Sequence, residues 1–154
     1  PFVLVAPQCR SHEKWEPSVL LRLIDHVVER YQIDTERVYV TGYSMGGAGT
    51  WDLAVAAPER FAAIAPLAGG GDTRQAKRLA RLAIWGFHGA RDGVVPLEAN
   101  QNMVEAVRAA GGDARLTVYE TEGHAIDEMT YGKAEFWNWL LAQRRRTGAH
   151  MGGN

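Results

Sequence analysis

Short apolar runs alternate with longer amphipathic segments along the chain. Five apolar runs are bounded by turn residues, which is typical of buried strands. They cover residues 2–6, 37–41, 61–67, 82–88 and 114–119. The segments between and after them repeat apolar positions every three to four residues, which predicts helices. These helices cover residues 17–31, 44–57, 73–80, 97–110 and 133–145.

This order of elements predicts the fold class. Parallel neighbouring strands need crossover connections, and helices of this length supply them. We therefore predict a three-layer α/β fold with a mostly parallel sheet of about five strands and flanking helices. The 154 residues fit one domain. We assign residues 1–146 to it and predict a flexible tail at the glycine-rich residues 147–154.

Charge and cysteine content exclude several kinds of partner. The formal net charge of −1 offers no basic surface for nucleic acid or an anionic membrane. Cys9 is the only cysteine, so neither a disulfide within the chain nor a Cys/His metal cluster is expected. No metal or cofactor is predicted. No apolar run approaches the ~20 residues that span a bilayer.

The compartment is not determined by the sequence. No signal peptide is found, which slightly favours the cytoplasm. Secretion stays open, because the chain begins at Pro1 and a native start can have been removed.

The pentapeptide Gly-Tyr-Ser-Met-Gly at residues 42–46 lies between a predicted strand and a predicted helix. This pattern is typical of a nucleophile elbow, a strained turn that exposes a serine hydroxyl at the carboxyl end of a sheet. Small residues are expected on both sides of Ser44, because neighbouring backbone passes close to the turn. The turn also places the Met45 N–H at a helix N-terminus, where it could stabilise an oxyanion. The alternative is that Ser44 only caps the helix.

A nucleophilic serine needs a base, and the base needs an orienting carboxylate. With a nucleophile elbow, the acid and then the histidine follow on loops at the same sheet edge. Asp92 follows the fourth predicted strand and His124 the fifth. We therefore predict Ser44 as nucleophile, Asp92 as acid and His124 as general base. The alternatives are an Asp-Gly turn for Asp92 and a surface loop position for His124.

Three other residues compete less well for these roles. Asp72 follows the third predicted strand, a position that some hydrolases use for the acid. Asp127 is too close to His124 in the sequence to orient it without a distorted loop. His88 ends its strand before the acid loop and is expected to be a buried, hydrogen-bonded histidine.

The chain resembles α/β-hydrolase esterases of the phospholipase/carboxylesterase and "predicted peptidase" group, which are related to feruloyl esterases and polyhydroxybutyrate depolymerases. The matching stretches are residues 2–9, 37–47, 58–66, 85–92 and 123–124. The resemblance implies cofactor-free hydrolysis of small carboxylic esters, often with short acyl chains. It also implies that Gln8 and Trp15 line the substrate cleft, with loop packing as the alternative. Tyr43, beside the nucleophile, is assigned to the substrate site as well.

One part of the family pattern has no match here. The family normally begins with an earlier strand and a His-Gly loop that supplies the second oxyanion N–H. In the family's sheet order this strand lies between those that match residues 2–6 and 38–40. We therefore expect an N-terminally truncated domain with weak activity. An unpaired edge and an exposed apolar face favour association, so we predict a homo-oligomer, a dimer first, or one piece of a longer protein.

Three functions remain compatible with the sequence. The first is ester hydrolysis through an acyl-enzyme on Ser44. The second is a serine peptidase with the same mechanism, which the sequence does not separate from an esterase. The third is a non-catalytic hydrolase remnant that acts as an interaction module, and the complete set of nucleophile, acid and base argues against it.

Overall fold

The computed structural model describes residues 2–10 and 14–145, so the predicted tail at residues 147–154 lies outside the described part. Four strands form: β1 (Tyr39–Tyr43), β2 (Ala63–Leu67), β3 (Ala83–Gly89) and β4 (Ala114–Tyr119). Five α-helices accompany them: α1 (Pro17–Arg30), α2 (Met45–Ala56), α3 (Leu97–Ala109), α4 (Asp127–Tyr131) and α5 (Ala134–Ala142). Two 3₁₀ helices lie at Pro58–Arg60 and Thr73–Leu79.

The sheet is parallel, and its spatial order β1-β2-β3-β4 follows the chain. Every residue of β2 and β3 is buried, because both strands lie inside the sheet and are covered on both faces. The predicted α/β class and parallel sheet are therefore confirmed. No helix among residues 2–10 and 14–145 has the length and apolar character needed to cross a membrane.

The two faces of the sheet carry separate cores, because alternate residues of a strand point to opposite sides. On one face, Ile64 and Ile84 pack with Trp51 of α2 and Met103 of α3. The other face is largely aromatic and lies under α4 and α5; its buried members include Leu67, Trp85, Phe87, Tyr119, Phe136 and Leu140. Helices thus cover both faces and complete the three layers.

The predicted strand at residues 2–6 is wrong. These residues have no strand pairing, and Phe2, Val3, Leu4 and Val5 are exposed by 62%, 52%, 75% and 43%. An apolar run becomes a strand only if a neighbour accepts and donates its backbone hydrogen bonds. The sheet ends at β1, and among the described residues no strand pairs with its outer edge. The sheet therefore has four strands instead of about five.

The helices differ from their predictions at three places. The predicted helix over 133–145 is shorter, because Gln143 is extended and side chains of Arg37 and Tyr39 hydrogen-bond the carbonyls that end α5. The five-residue helix α4 was not predicted. The segment predicted as a helix over 73–80 is a 3₁₀ helix, in which Gln75 N–H bonds the carbonyl of Asp72.

Asn100 of α3 joins both central strands and two helices. Its side chain is fully buried, and its Nδ2 donates to the carbonyls of Phe87 (3.0 Å) and Pro66 (3.4 Å). Its Oδ1 accepts from the indole N–H of Trp51 at 3.3 Å. One amide thus satisfies polar groups at the carboxyl ends of β2 and β3, directly below the loops that carry the candidate site.

We expect Asn100→Ala to destabilise the fold by about 1–3 kcal/mol, because it leaves the buried Trp51 N–H without a partner and removes one of the donors to the Phe87 carbonyl, which keeps the Ala68 N–H. Urea unfolding followed by far-UV circular dichroism measures this loss. Asn102→Ala, at an exposed position of the same helix, is the matched control and should change the free energy of unfolding by less than ~0.5 kcal/mol. Equal effects of the two substitutions would show that the hydrogen bonds of Asn100 do not stabilise the fold.

Candidate active site

Ser44 occupies a strained backbone conformation between β1 and α2. Its φ of 57° and ψ of −116° fall outside the regions that non-glycine residues favour. Its N–H donates to the carbonyl of Leu67 in β2 (2.9 Å), and its carbonyl accepts from the N–H of Ala48 in α2 (3.0 Å). The turn is therefore held by the neighbouring strand on one side and by the helix on the other.

Two glycines beside Ser44 are required by close backbone contact. A Cβ on Gly42 would overlap the carbonyl of Gly46, and a Cβ on Gly47 would overlap the carbonyl of Leu67. At Gly46 itself there is open space for a Cβ. The expected need for small residues on both sides of the serine thus holds at Gly42, whereas on the helix side it falls on Gly47.

The structure brings the predicted nucleophile, base and acid together. The Nε2 atom of His124 lies 2.8 Å from Ser44 Oγ, and its Nδ1 lies 2.7 Å from Asp92 Oδ2. The three residues follow β1, β4 and β3, so the carboxyl ends of parallel strands place them at one edge of the sheet. The side chain of Asp92 is fully buried and that of His124 is 19% exposed. A reacting group can therefore approach the histidine and serine but not the acid.

Asp92 is held as an acceptor from several directions. Its Oδ1 accepts from the N–H groups of Val94 and Val95, both at 2.9 Å. Burial acts to raise the pKa of Asp92, but the hydrogen bonds from His124, Val95 and Val94 outweigh it and keep the pKa below its ordinary value. An ionised Asp92 accepts only, so His124 Nδ1 carries a proton and Nε2 is free to accept from the Ser44 hydroxyl.

Met45 is the first residue of α2. The N–H of a residue at this position has no acceptor within its own helix, and the helix dipole favours negative charge there. Because Met45 directly follows Ser44, its N–H is placed to stabilise the oxyanion that attack by Ser44 would create.

Tyr43 lies at the site, Trp15 lies beside Met45, and Gln8 is not brought to either. The ring of Tyr43 contacts that of His124, with 4.9 Å between centroids. Burial, followed by the charges of Asp127 and Asp92, raises the pKa of Tyr43. Gln8 is exposed, and no described contact joins it to Ser44 or His124.

Trp15 packs on α2, where a Cβ at Gly49 would overlap its indole ring. Together with Met45 it lines a cavity of about 180 Å³, whose remaining lining residues are Lys14, Ala48, Gly49 and Asp52. Neither Lys14 nor Asp52 was predicted from the sequence to border a cavity. Their place at the cavity depends on residues 14–15 folding back over α2, a long-range contact without a local signal.

The competing residues lie elsewhere or act differently. Asp72 caps the 3₁₀ helix and forms an exposed ion pair with Arg74 at 2.9 Å. Asp127 begins α4. His88 is fully buried, as expected, and its Nε2 lies 3.0 Å from the carbonyl of Val95. Across residues 2–10 and 14–145, no group of three His, Cys, Asp or Glu side chains is placed to hold a metal ion.

Comparison with known proteins adds a family and several relatives. The sequence profile described as "Dienelactone hydrolase family" matches residues 10–134. A putative carboxymethylenebutenolidase of Escherichia coli K12 is 33% identical over 122 residues, which cover 71% of this chain and 45% of that protein. Poly(3-hydroxyalkanoate) depolymerase C of Paucimonas lemoignei is 43% identical over 55 residues, covering 36% of this chain and 13% of that protein.

A solved structure is similar over most of the described residues. The crystal structure of a thermostable esterase superimposes with a TM-score of 0.80 at 37% identity, and the match covers 83% of this chain and 36% of that one. The chain therefore spans less than half the length of these relatives.

Two glycine substitutions test the geometry of the elbow. We expect Gly42→Ala to destabilise the protein by about 1–3 kcal/mol, because the new Cβ must displace the backbone at Gly46. Gly46→Ala, in the same pentapeptide, should leave stability unchanged or slightly higher, since its Cβ meets open space and alanine favours helix. Urea unfolding of both variants measures their free energies of unfolding. The opposite order of stability would show that the turn is packed differently.

Proposed function

We propose that this chain, which belongs to the dienelactone hydrolase family, hydrolyses carboxylic esters through an acyl-enzyme on Ser44. The relatives include a putative carboxymethylenebutenolidase and a thermostable esterase, in agreement with the resemblance drawn from the sequence. The observation that carries the proposal is the unbroken series of hydrogen bonds from Ser44 through His124 to Asp92. That series contains a nucleophile, a base and a buried acid.

Acylation follows from this geometry. As Ser44 Oγ attacks the ester carbonyl carbon, its proton passes to His124 Nε2, and the carbonyl oxygen becomes an oxyanion. Asp92 stabilises the positive charge that forms on His124. The oxyanion then collapses, the bond to the alcohol oxygen breaks, and the departing alkoxide takes the proton from His124 Nε2. An acyl group remains on Ser44.

Deacylation repeats the same proton transfers with water. A water molecule attacks the acyl carbonyl and gives a proton to His124 Nε2. When the second oxyanion collapses, the bond to Ser44 Oγ breaks and the serine regains its proton from His124. The products are a carboxylic acid and the free enzyme.

Within residues 2–10 and 14–145, the Met45 N–H is the one oxyanion donor that we identify. The His-Gly loop that the family resemblance implies as the second donor has no match in the 154 residues. Loss of one such donor typically costs ~10²–10³ in rate. We therefore propose that these residues alone have weak esterase activity.

The cavity beside Met45 supports a short acyl group. Its volume of about 180 Å³ is below the ~300–1,000 Å³ of sites for drug-sized ligands. Lys14 and Asp52 border it, and a long alkyl chain would remove water from these ionic groups without replacing its hydrogen bonds. Trp15 and Tyr43 are proposed to line the substrate site, and Gln8 keeps only the support of the family resemblance.

Two aspartate substitutions test the mechanism with p-nitrophenyl acetate. We expect Asp92→Asn to lower kcat by ~10³–10⁴, because an amide cannot hold the required His124 tautomer and charge. Asp72→Asn is the matched control and should keep wild-type activity, since Asp72 pairs with Arg74 at the surface. A large loss in the control, with an active Asp92→Asn, would transfer the acid role to Asp72.

The outer edge of β1 supports the predicted homodimer. Backbone groups alternate sides along a strand. Because the Val38 carbonyl accepts from Ala62 N–H in the β2 segment, Tyr39, Thr41 and Tyr43 direct their backbone groups away from β2. An isologous dimer can pair two such edges antiparallel around a twofold axis.

The exposed apolar segment at residues 2–5 adjoins the same region. Phe2 stacks on Trp137 of α5 with 6.1 Å between centroids, and Tyr39 of β1 hydrogen-bonds the backbone that ends α5. The apolar residues and the unpaired edge thus lie near each other. We propose that a second copy of the chain covers both.

Light scattering during size-exclusion chromatography tests the dimer. We expect a mass twice that of the 17.0 kDa chain. Leu4→Lys should shift the equilibrium toward monomer, because it places a charge in the proposed interface. Val19→Lys, at an exposed apolar position of α1, is the control and should remain dimeric. A monomeric wild type at all concentrations would rule out the dimer.

A further inference from the structure

We infer that His88 is a positioning residue of this site, one that fixes the Asp92 carboxylate for its hydrogen bond to His124. This role rests on the function proposed above. His88 is not one of the three residues that act as nucleophile, base and acid. The positioning role explains why this polar side chain is buried beside them although the mechanism does not use it.

His88 lies one residue before the end of β3, and its side chain is fully buried. Its Nε2 lies 3.0 Å from the carbonyl oxygen of Val95 and 3.2 Å from Asp92 Oδ2. It therefore contacts the acid and also the far end of the turn that carries the acid. Within the described residues its Nδ1 is buried without a hydrogen-bond partner.

These contacts specify the tautomer of His88. A backbone carbonyl only accepts, and an ionised carboxylate only accepts, so Nε2 must carry the proton. The single N–H donates to the carbonyl of Val95 at 3.0 Å, and Asp92 Oδ2 lies 3.2 Å from the same nitrogen. Nδ1 then has only a lone pair, and no described group donates to it. A buried polar atom without a partner is unfavourable, so the stabilising contribution of this ring to the site comes from Nε2.

Three N–H groups donate to the acid, and the N–H of His88 lies beside it. Asp92 Oδ1 accepts from Val94 and Val95 N–H, while Oδ2 accepts from His124 Nδ1 and faces His88 Nε2. Val95 is held twice, by its N–H to Asp92 and by its carbonyl to His88. Without His88, the turn from residue 92 to 95 loses the hydrogen bond at the Val95 carbonyl, and the angle at which the carboxylate meets His124 is held less closely.

The loss of this donor has an electrostatic consequence with a definite sign. Without the positive end of the His88 N–H at 3.2 Å from Oδ2, the carboxylate attracts a positive charge on His124 more strongly, which favours protonated His124. The base must be neutral to accept the Ser44 proton, so half-maximal activity on the acid side moves to higher pH. Tyr43 contacts the ring of His124, and the charge of Asp127 of α4 acts on Tyr43. Both remain in every variant below.

Kinetics of three variants test the role in the whole chain. We expect His88→Leu to lower kcat for p-nitrophenyl acetate by between ~3-fold and ~100-fold, with KM nearly unchanged. The acid limb of the pH–rate profile should move up by ~0.5 unit. His88→Gln keeps an N–H donor and should recover most of both changes. Val107→Ala, which removes buried volume from α3 on the first core, should leave the acid limb in place.

An unmoved acid limb in His88→Leu would overturn the inference. So would a His88→Gln variant no better than His88→Leu. If His88→Leu does not fold, long-range ¹H–¹⁵N correlations of the wild-type histidines provide the test. We expect His88 with its proton on Nε2 at neutral pH, and a proton on Nδ1 would contradict the role.

The same spectra separate this inference from the proposed function. The NMR titration of His124 in wild type and in the His88 variants reports the predicted upward movement without any turnover. A wild type that hydrolyses no ester refutes the proposed function. An upward movement in that protein would still support His88 as the residue that positions Asp92, and no movement would refute it.

Discussion

The strained backbone of Ser44 determines how the other parts of the site are arranged. A φ of 57° is unfavourable for serine by about 1–3 kcal/mol, so surrounding contacts must hold it. The Leu67 carbonyl accepts the Ser44 N–H, and Gly47 passes the same carbonyl so closely that no Cβ fits. The next residue, Ala68, also has a positive φ of 46°. Strain is thus stored at the adjoining ends of β1 and β2, where it turns the serine outward.

The sheet order imposes a second requirement, since His124 follows β4 and must reach Ser44 at the end of β1. Neighbouring strands are ~4.8 Å apart, so this loop crosses the carboxyl ends of the strands between them. Gly89 at the end of β3 makes the crossing possible, because a Cβ there would overlap the carbonyl of Gly123. The acid loop then lies beneath the histidine, and its buried carboxylate determines which nitrogen of His124 carries the proton.

Much of this arrangement could be predicted from the sequence, because its signals are local. The strand over 114–119 has its predicted bounds, and Ser44, Asp92 and His124 lie in contact because parallel strands end at one edge. The strand over 2–6 was wrong because pairing depends on a neighbour that an apolar run does not specify. Helix α4 is too short to show a helical period.

Contacts between distant segments account for the remaining differences. The cavity that Lys14 and Asp52 border forms only when residues 14–15 pack on α2. The burial of His88 could be expected from its strand, but its contact with Asp92 depends on the turn conformation at residues 92–95. The sequence suggested weak activity from an unmatched oxyanion loop. The structure adds that no strand among the described residues pairs with the outer edge of β1.

Activation of Ser44 as a nucleophile is the property that the fold must produce if this chain is an esterase. Reaction with a fluorophosphonate probe, followed by peptide mass spectrometry, measures it, because the probe reacts with activated serines and not with ordinary hydroxyls. We expect one modified site, Ser44, in the folded wild type, and none in Ser44→Ala or after unfolding in urea. No modification of the folded protein, or modification that persists in Ser44→Ala, would contradict the assignment of Ser44 as the nucleophile.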